Sequence, residues 1–249
     1  MSENYAALGR WDYGIRSAPA PDVIELVPPY TLSDSERGPV VNPFLAARKR
    51  GWWDTLGRGA LVDDALVYVE LEDEATAVRT FKVDLVDGLV QTPEYGAALI
   101  RANHPDASEA LVRRQVDARI RRQARLGGVH PIQLETIITE GALRIPVGGP
   151  ETMRRQLEHL LALMELSNVD IRVVPATGAY PAMGTPFYIL SFGGRFPDVG
   201  YVELLDKGVY LEEPDDVQLY VTKFASLRAV ALDPEESREL ITTIGSGLR

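Results

Sequence analysis

Two glutamates in otherwise apolar strand patterns are the residues best suited to do chemistry. Glu140 follows the run TIIT, and Glu203 lies within GYVELL. A buried carboxylate either pairs with a cation or shifts its pKa, and both situations are common at functional sites. If the protein is an enzyme, we therefore expect Glu140 and Glu203 to be its catalytic residues. The alternative is that both are solvent-facing strand residues or structural ion pairs, because alternating strands need polar outward positions.

Two further side chains are candidates to orient a ligand beside these acids. Arg144 is the nearest cationic partner of Glu140 by pattern, and Tyr188 lies in the apolar run PFYIL. Polar groups that converge inside an apolar wall fix the orientation of a bound molecule. This hypothesis predicts that Glu140 and Glu203 face one cavity, with Arg144 or Tyr188 within reach.

The residue inventory argues against metal and cofactor chemistry. The chain of 249 residues has no cysteine, and its three histidines, His104, His130 and His159, are far apart in sequence. This leaves no thiolate site and no HxxxH or HExxH pair, and no paired-acid calcium loop occurs in the sequence, so we predict no metal and no cofactor. Neither GxxxxGK[ST] nor GxSxG occurs, so nucleotide hydrolysis and esterase chemistry lack their usual signatures.

The charge balance bears on the partners. Lys and Arg total 26 against 36 Asp and Glu, a net charge of -10, which opposes general binding to nucleic acid. Seven arginines within residues 101–126 form a local basic segment, but arginines spread around a helix are typical of a solvated face. We therefore do not expect DNA binding. We find no secretion signal and no long apolar run, so we expect no membrane contact and a cytoplasmic location that suits a cysteine-free chain.

Proline and glycine signals divide the chain into an arm and a domain. Six prolines between residues 19 and 43 predict an extended arm over residues 1–43, which could lie along a sheet or along a second subunit of a homodimer. Residues 44–249 form the predicted domain. It begins with a short helix that stops at Gly51, before the pair Trp52 and Trp53.

The domain alternates helices and strands without a strict βαβ rhythm. We predict helices over 93–103, after Ser108, over 153–164, after Pro214 and after Asp233. Strands are predicted around 80–85 and 134–139. Three or four more follow in VDIRVVPA, PFYILSF and VGYVELLDKGVYLEE, where residues 206–208 form a tight turn. The pattern predicts an α+β fold in which a mostly antiparallel or mixed sheet packs with amphipathic helices.

An ordered set of blocks resembles a known family. The blocks include DGLVQTPEYGAALI, ITEGALRIPVGGPETMRRQLEHLL and VGYVELLDKGVYLEEPDDVQLYVTKFASLRAVAL. They resemble the C-terminal domain of WhiJ-like, antitoxin-like Xre-family regulators from actinobacteria, from about Phe44 to the end. Within these blocks we take Gln91 and Tyr95 of QTPEY as additional ligand-binding residues. Family members carry a helix-turn-helix domain before this region, whereas 43 proline-rich residues precede it here, so we expect the DNA reader to be missing.

The resemblance leaves two functional hypotheses. The first is a regulator-like binding module for a small molecule or a small acidic, antitoxin-like protein, acting in development or specialised metabolism. The second is a metal-free biosynthetic enzyme recruited from the regulator domain, which performs cyclisation or acid/base chemistry. A concave pocket lined by apolar strands and a few carboxylates serves either purpose.

Overall fold

Side-chain caps set the start of several helices. In the computed structural model, which describes residues 51–55, 63–205 and 207–248, Thr92 accepts a hydrogen bond from the Tyr95 amide and Ser108 accepts one from the Leu111 amide. Asp233 and Glu236 form a capping box. These helix starts are confirmed because caps are local signals. The predicted arm over 1–43, the predicted helix before Gly51 and residue 206 of the predicted turn lie outside the described residues.

Seven α-helices and six strands follow the short 3-10 helix Trp52–Thr55 in the described chain. The helices are α1 (Asp63–Glu74), α2 (Pro93–Asn103), α3 (Glu109–Gln123), α4 (Glu140–Arg144), α5 (Pro150–Leu163), α6 (Pro214–Val230) and α7 (Pro234–Gly247). The strands are β1 (Ala77–Lys82), β2 (Gln133–Thr139), β3 (Val169–Val174), β4 (Phe187–Ser191), β5 (Val199–Glu203) and β6 (Gly208–Leu211).

The six strands form one mixed sheet in the order β3-β2-β1-β4-β5-β6. β1, β2 and β3 are parallel, whereas β4, β5 and β6 are antiparallel to their neighbours. The α+β class with a mixed sheet is confirmed. The antiparallel C-terminal hairpin is present, with Glu203 opposite Gly208 and the Leu204 amide donating to the Lys207 carbonyl at 2.8 Å. β3 instead pairs in parallel with β2, because the helices α4 and α5 cross over between them.

The two faces of the sheet carry separate cores. The larger core joins the sheet to α1, α2, α5 and α7, and it includes Leu71, Tyr95, Leu157 and Ile241. On the opposite face α6 covers a smaller core that includes Phe187. No helix in the described part of the chain is long and apolar enough to cross a membrane.

Candidate functional site

The candidate site lies at the carboxyl end of β1, on the face of the larger core. The chain leaves β1 towards β2 on one side and returns from β3 to β4 on the other side, so the strand order reverses between β1 and β4. In open sheets with parallel strands, the region beyond such a reversal is a common position for ligands. In-register pairing sets Thr80 opposite Tyr188, and side-chain alternation places Lys82 on the same face as both.

Lys82 is a buried cation whose described partners are weak. Its Nζ donates a hydrogen bond to Tyr188 Oη and lies 4.0 Å from the centre of that ring. In the described part of the chain the nearest carboxylate oxygen, Asp87 Oδ2, is 3.9 Å away, beyond hydrogen-bond distance. Only 4% of Lys82 and 1% of Asp87 are exposed. Burial lowers the pKa of Lys82, although the charges of Asp87 and Glu203 oppose that shift.

Arg122 of α3 and Glu72 of α1 form a buried ion pair beside Lys82. Arg122 Nε donates to Glu72 Oε1 at 2.7 Å, and Nη2 donates to Oε2 at 2.8 Å, in a two-pronged contact. The guanidinium also lies 5.4 Å from the centre of the Tyr68 ring. Burial alone would lower the pKa of Arg122, but the Glu72 carboxylate raises it well above its ordinary value. The solvated-face interpretation of the arginine-rich helix is therefore wrong for Arg122.

A third cation, Arg119, is held by a neutral side chain. Arg119 Nη1 donates to Gln91 Oε1, while Gln91 Nε2 donates to the Val86 carbonyl at 2.6 Å. The Val86 amide in turn donates to Tyr95 Oη at 3.1 Å. Gln91 and Tyr95 are buried and hold the loop after β1, so their described contacts are with the protein itself. We name Tyr68, Glu72, Lys82, Asp87, Arg119, Arg122 and Tyr188 the Lys82 cluster.

Aromatic rings wall one side of the Lys82 cluster. The ring of Tyr68 lies 5.2 Å from that of Tyr188 and 4.6 Å from that of Tyr201, and Tyr210 lies 5.0 Å beyond Tyr201. Burial raises the pKa of Tyr68 and of Tyr188 well above the ordinary tyrosine value, and neighbouring carboxylates raise both further. Both hydroxyls therefore stay protonated across the physiological range and can donate hydrogen bonds.

Two buried polar atoms of the cluster have no hydrogen-bond partner among the described residues. They are Asp87 Oδ2 and Tyr68 Oη. The other carboxylate oxygen of Asp87 accepts from the Leu89 amide at 2.8 Å, which fixes the orientation of the group. A buried polar group without a partner is costly, and its presence in a folded protein calls for an explanation.

The structure does not join Glu140 to Glu203. β1 and β4 lie between β2, which Glu140 follows, and β5, which Glu203 ends, so three inter-strand spacings of about 14 Å in total separate the two positions across the sheet. Glu140 Oε1 accepts from Arg144 at 2.7 Å and Oε2 from the Ala176 amide at 2.8 Å. These contacts lower the pKa of Glu140, with the amide the larger cause, and identify Glu140 and Arg144 as an ion pair within α4.

Glu203 lies instead at the rim of the Lys82 cluster. It ends β5 and is exposed, yet its charge raises the pKa of both Lys82 and Tyr188. Of the predicted site residues, Tyr188 is therefore central, Gln91 touches the cluster through Arg119, and Glu203 acts on it from the surface.

Sequence reasoning missed most of the Lys82 cluster. Lys82 could have been considered, because the chain has only four lysines and this one ends a β-strand next to the apolar Phe81. The i, i+3 spacing of Arg119 and Arg122 also places both on one side of α3. Within the part of the chain that the structure describes, no group of three or more His, Cys, Asp or Glu side chains is arranged to hold a metal ion.

These features define an α+β protein with a charged, tyrosine-walled site buried at the reversal point of a mixed sheet. The chain belongs to the family described as Domain of unknown function (DUF5753), whose model matches residues 66–243. The matched range contains every residue of the Lys82 cluster. No curated protein and no solved structure matches the chain.

Proposed function

We propose that this protein is a regulator-like binding module whose Lys82 cluster receives a small molecule that carries a carboxylate on a flat or aromatic body. The observation that carries the proposal is the buried Lys82 ammonium, which has a neutral phenol as its hydrogen-bond partner and a carboxylate no nearer than 3.9 Å in the described chain. A buried cation is stabilised by an anion within hydrogen-bond distance.

The charges within the cluster favour an anionic guest. Arg122 and Glu72 neutralise each other through two short hydrogen bonds. Arg119 is held by the neutral amide of Gln91. Within the Lys82 cluster three cations (Lys82, Arg119 and Arg122) meet two anions (Glu72 and Asp87), and the exposed Glu203 adds a third negative charge from the rim. A ligand carboxylate would give Lys82 the anion within hydrogen-bond distance that the described carboxylates do not provide.

The unpartnered atoms and the tyrosine rings narrow the chemistry further. Tyr68 Oη can donate to an acceptor on the ligand, and Asp87 Oδ2 can accept from a donor such as a hydroxyl or an amide N–H. The rings of Tyr68, Tyr188 and Tyr201 are buried and pack on one another, and they form the aromatic wall against which a flat body would lie. The resemblance to WhiJ-like regulators supports a role in which ligand binding modulates development or specialised metabolism.

One observation favours an enzyme as a second candidate. The direct hydrogen bond between Lys82 and Tyr188, together with the lowered pKa of Lys82, is an arrangement that can move a proton to or from a bound substrate. Metal-free acid/base chemistry would then use this pair, with Glu203 at its rim, and would not use Glu140.

Thermal unfolding in the presence of benzoate tests the binding proposal. Benzoate has the expected carboxylate and ring, and benzamide has the same shape without the charge. We expect benzoate to raise the melting temperature of the wild type more than benzamide does, because a ligand that binds the folded state stabilises it. Lys82→Met should abolish the difference. Lys223→Met, at an exposed lysine on α6, is the matched control and should respond as the wild type does.

Two results would separate the alternatives. An equal response of wild type and Lys82→Met to benzoate would place any binding outside the cluster and contradict the proposal. Mass spectrometry of carboxylate-bearing biosynthetic intermediates incubated with the protein distinguishes the enzyme, because a binding module shifts the melting temperature without consuming its ligand.

A further inference from the structure

A surface groove of about 550 Å³ is lined by α2 and α3 together with Gly148 and Thr152, and none of its lining residues belongs to the Lys82 cluster. Its floor is formed by small and apolar side chains of both helices, among them Ala97, Ala98, Val112 and Val116. The two helices are joined by residues 104–108 and run antiparallel. The groove therefore has one end near this connection and one end far from it, and the position of each lining residue along its helix tells which end it is nearer to.

Charges of opposite sign mark the two ends of the groove. Arg101 and Arg113 line the end near the connection, whereas Glu94 and Asp117 line the far end. The helical rise places Arg113 and Asp117 about 6 Å apart along α3. Arg101 is already paired with Glu109 through hydrogen bonds of 2.9 and 3.2 Å.

The remaining three charges, Arg113, Glu94 and Asp117, are exposed. None of them makes an ion pair or a side-chain hydrogen bond to another described residue. The rim therefore presents one positive and two negative charges that make no close ion pair with a described residue, although Glu109 attracts Arg113 from one turn earlier.

We propose that this groove is the contact surface for a second copy of the chain, related by a twofold axis that crosses α3 between Arg113 and Asp117. A twofold axis reverses the direction of the groove, so the basic end of one copy faces the acidic end of the other. One surface then makes the Arg113 to Asp117 contact twice, and the two apolar grooves face each other across the axis. The charges of this surface are therefore complementary to those of the same surface on a second copy.

The same charges argue against an acidic partner at this surface. Such a partner would be attracted to Arg113 but repelled by Glu94 and Asp117 at the other end. The net charge of -10 also means that two copies repel each other as a whole, so the local contacts must select the orientation.

Charge reversal with rescue tests the proposal by sedimentation velocity over a range of protein concentrations. The wild type should show a reversible monomer–dimer equilibrium. Arg113→Glu alone and Asp117→Arg alone should each weaken dimerisation by at least about tenfold, because each places like charges opposite each other. The double variant, Arg113→Glu with Asp117→Arg, should regain dimerisation. Lys223→Glu, an exposed reversal on α6, is the control and should dimerise as the wild type does.

A mixture of the two single variants gives the sharpest outcome. In a mixed dimer each contact joins opposite charges, so an equimolar mixture should dimerise more tightly than either variant does alone. The proposal is overturned if the wild type stays monomeric at every concentration, if the single variants dimerise as well as the wild type, or if neither the double variant nor the mixture recovers. Unchanged circular dichroism of all variants would exclude unfolding as the cause.

Discussion

Replacing Arg122 by methionine leaves the buried Glu72 carboxylate without its cation. It tests whether the side of α3 that carries Arg122 packs against the interior of the domain. The side chain of Glu72 is 2% exposed and that of Arg122 is 14% exposed, and two hydrogen bonds of 2.7 and 2.8 Å join them. Removing one member of a buried pair leaves the other charge without compensation, which costs about 3–5 kcal/mol. Each kcal/mol lowers the melting temperature of a chain of this size by about 2–4 °C.

Urea unfolding of the single and double variants measures this coupling. We expect Arg122→Met and Glu72→Gln each to lower the unfolding midpoint, and the double variant to lose less than the sum, with a coupling energy of up to about 3 kcal/mol. Arg154 is the control, because its pair with Glu158 at 2.7 Å joins side chains that are 42% and 59% exposed. Arg154→Met should cost less than about 1 kcal/mol. Equal costs for Arg122→Met and Arg154→Met would refute the inward-facing interpretation of α3.

Three further predictions follow from local geometry and charge. Gly148→Ala should lower the melting temperature more than Gly149→Ala does. Both glycines have a positive φ, but a Cβ at Gly148 would come within 2.9 Å of Thr152, whereas a Cβ at Gly149 would meet no atom within 4 Å. Glu140→Gln should lower the free energy of unfolding by about 1–3 kcal/mol at neutral pH, because it weakens charged hydrogen bonds. Because folding lowers the pKa of Glu140, the ionised carboxylate stabilises the folded state at pH values above the ordinary glutamate pKa. In unfolding experiments at a series of pH values, the difference in unfolding free energy between wild type and Glu140→Gln should vanish as the pH falls through the pKa of Glu140 in the folded state. Random duplex DNA at physiological salt should bind more weakly than about 10⁻⁴ M, and a salt-sensitive gel shift at micromolar protein would contradict this.

The local parts of the fold could be predicted because their signals lie within a few residues. A helix begins directly after the cap Thr92, where Pro93 is the first helical residue. Another begins after the cap Asp233, whose capping-box partner is Glu236. The strand over 134–139 could be predicted from its β-branched residues in the same way. The parallel pairing of β1 with β2 could not, since its partners are more than fifty residues apart and no short pattern records which strands meet.

The candidate site could be predicted only in part for a related reason. Tyr188 was identified within an apolar strand, but its partner Lys82 lies on a strand 106 residues earlier. The pairing of Arg122 with Glu72 depends on how α3 packs, because helical periodicity sets which side chains share a face but not which face is covered. Glu140 was misleading because a carboxylate after an apolar strand can equally begin a helix, as it does in α4, where Thr139 is the cap.

The most direct test of the account is nuclear magnetic resonance of isotope-labelled lysine side chains during a benzoate titration. The chain has four lysines, so the spectrum has few signals, and Lys82→Met assigns the buried one by its disappearance. We expect benzoate to shift the Lys82 signal saturably while the signals of the other three lysines stay in place, and benzamide to leave the Lys82 signal unchanged. A Lys82 signal that does not move with benzoate, or that moves equally with benzamide, would contradict the proposal that this cluster binds a carboxylate.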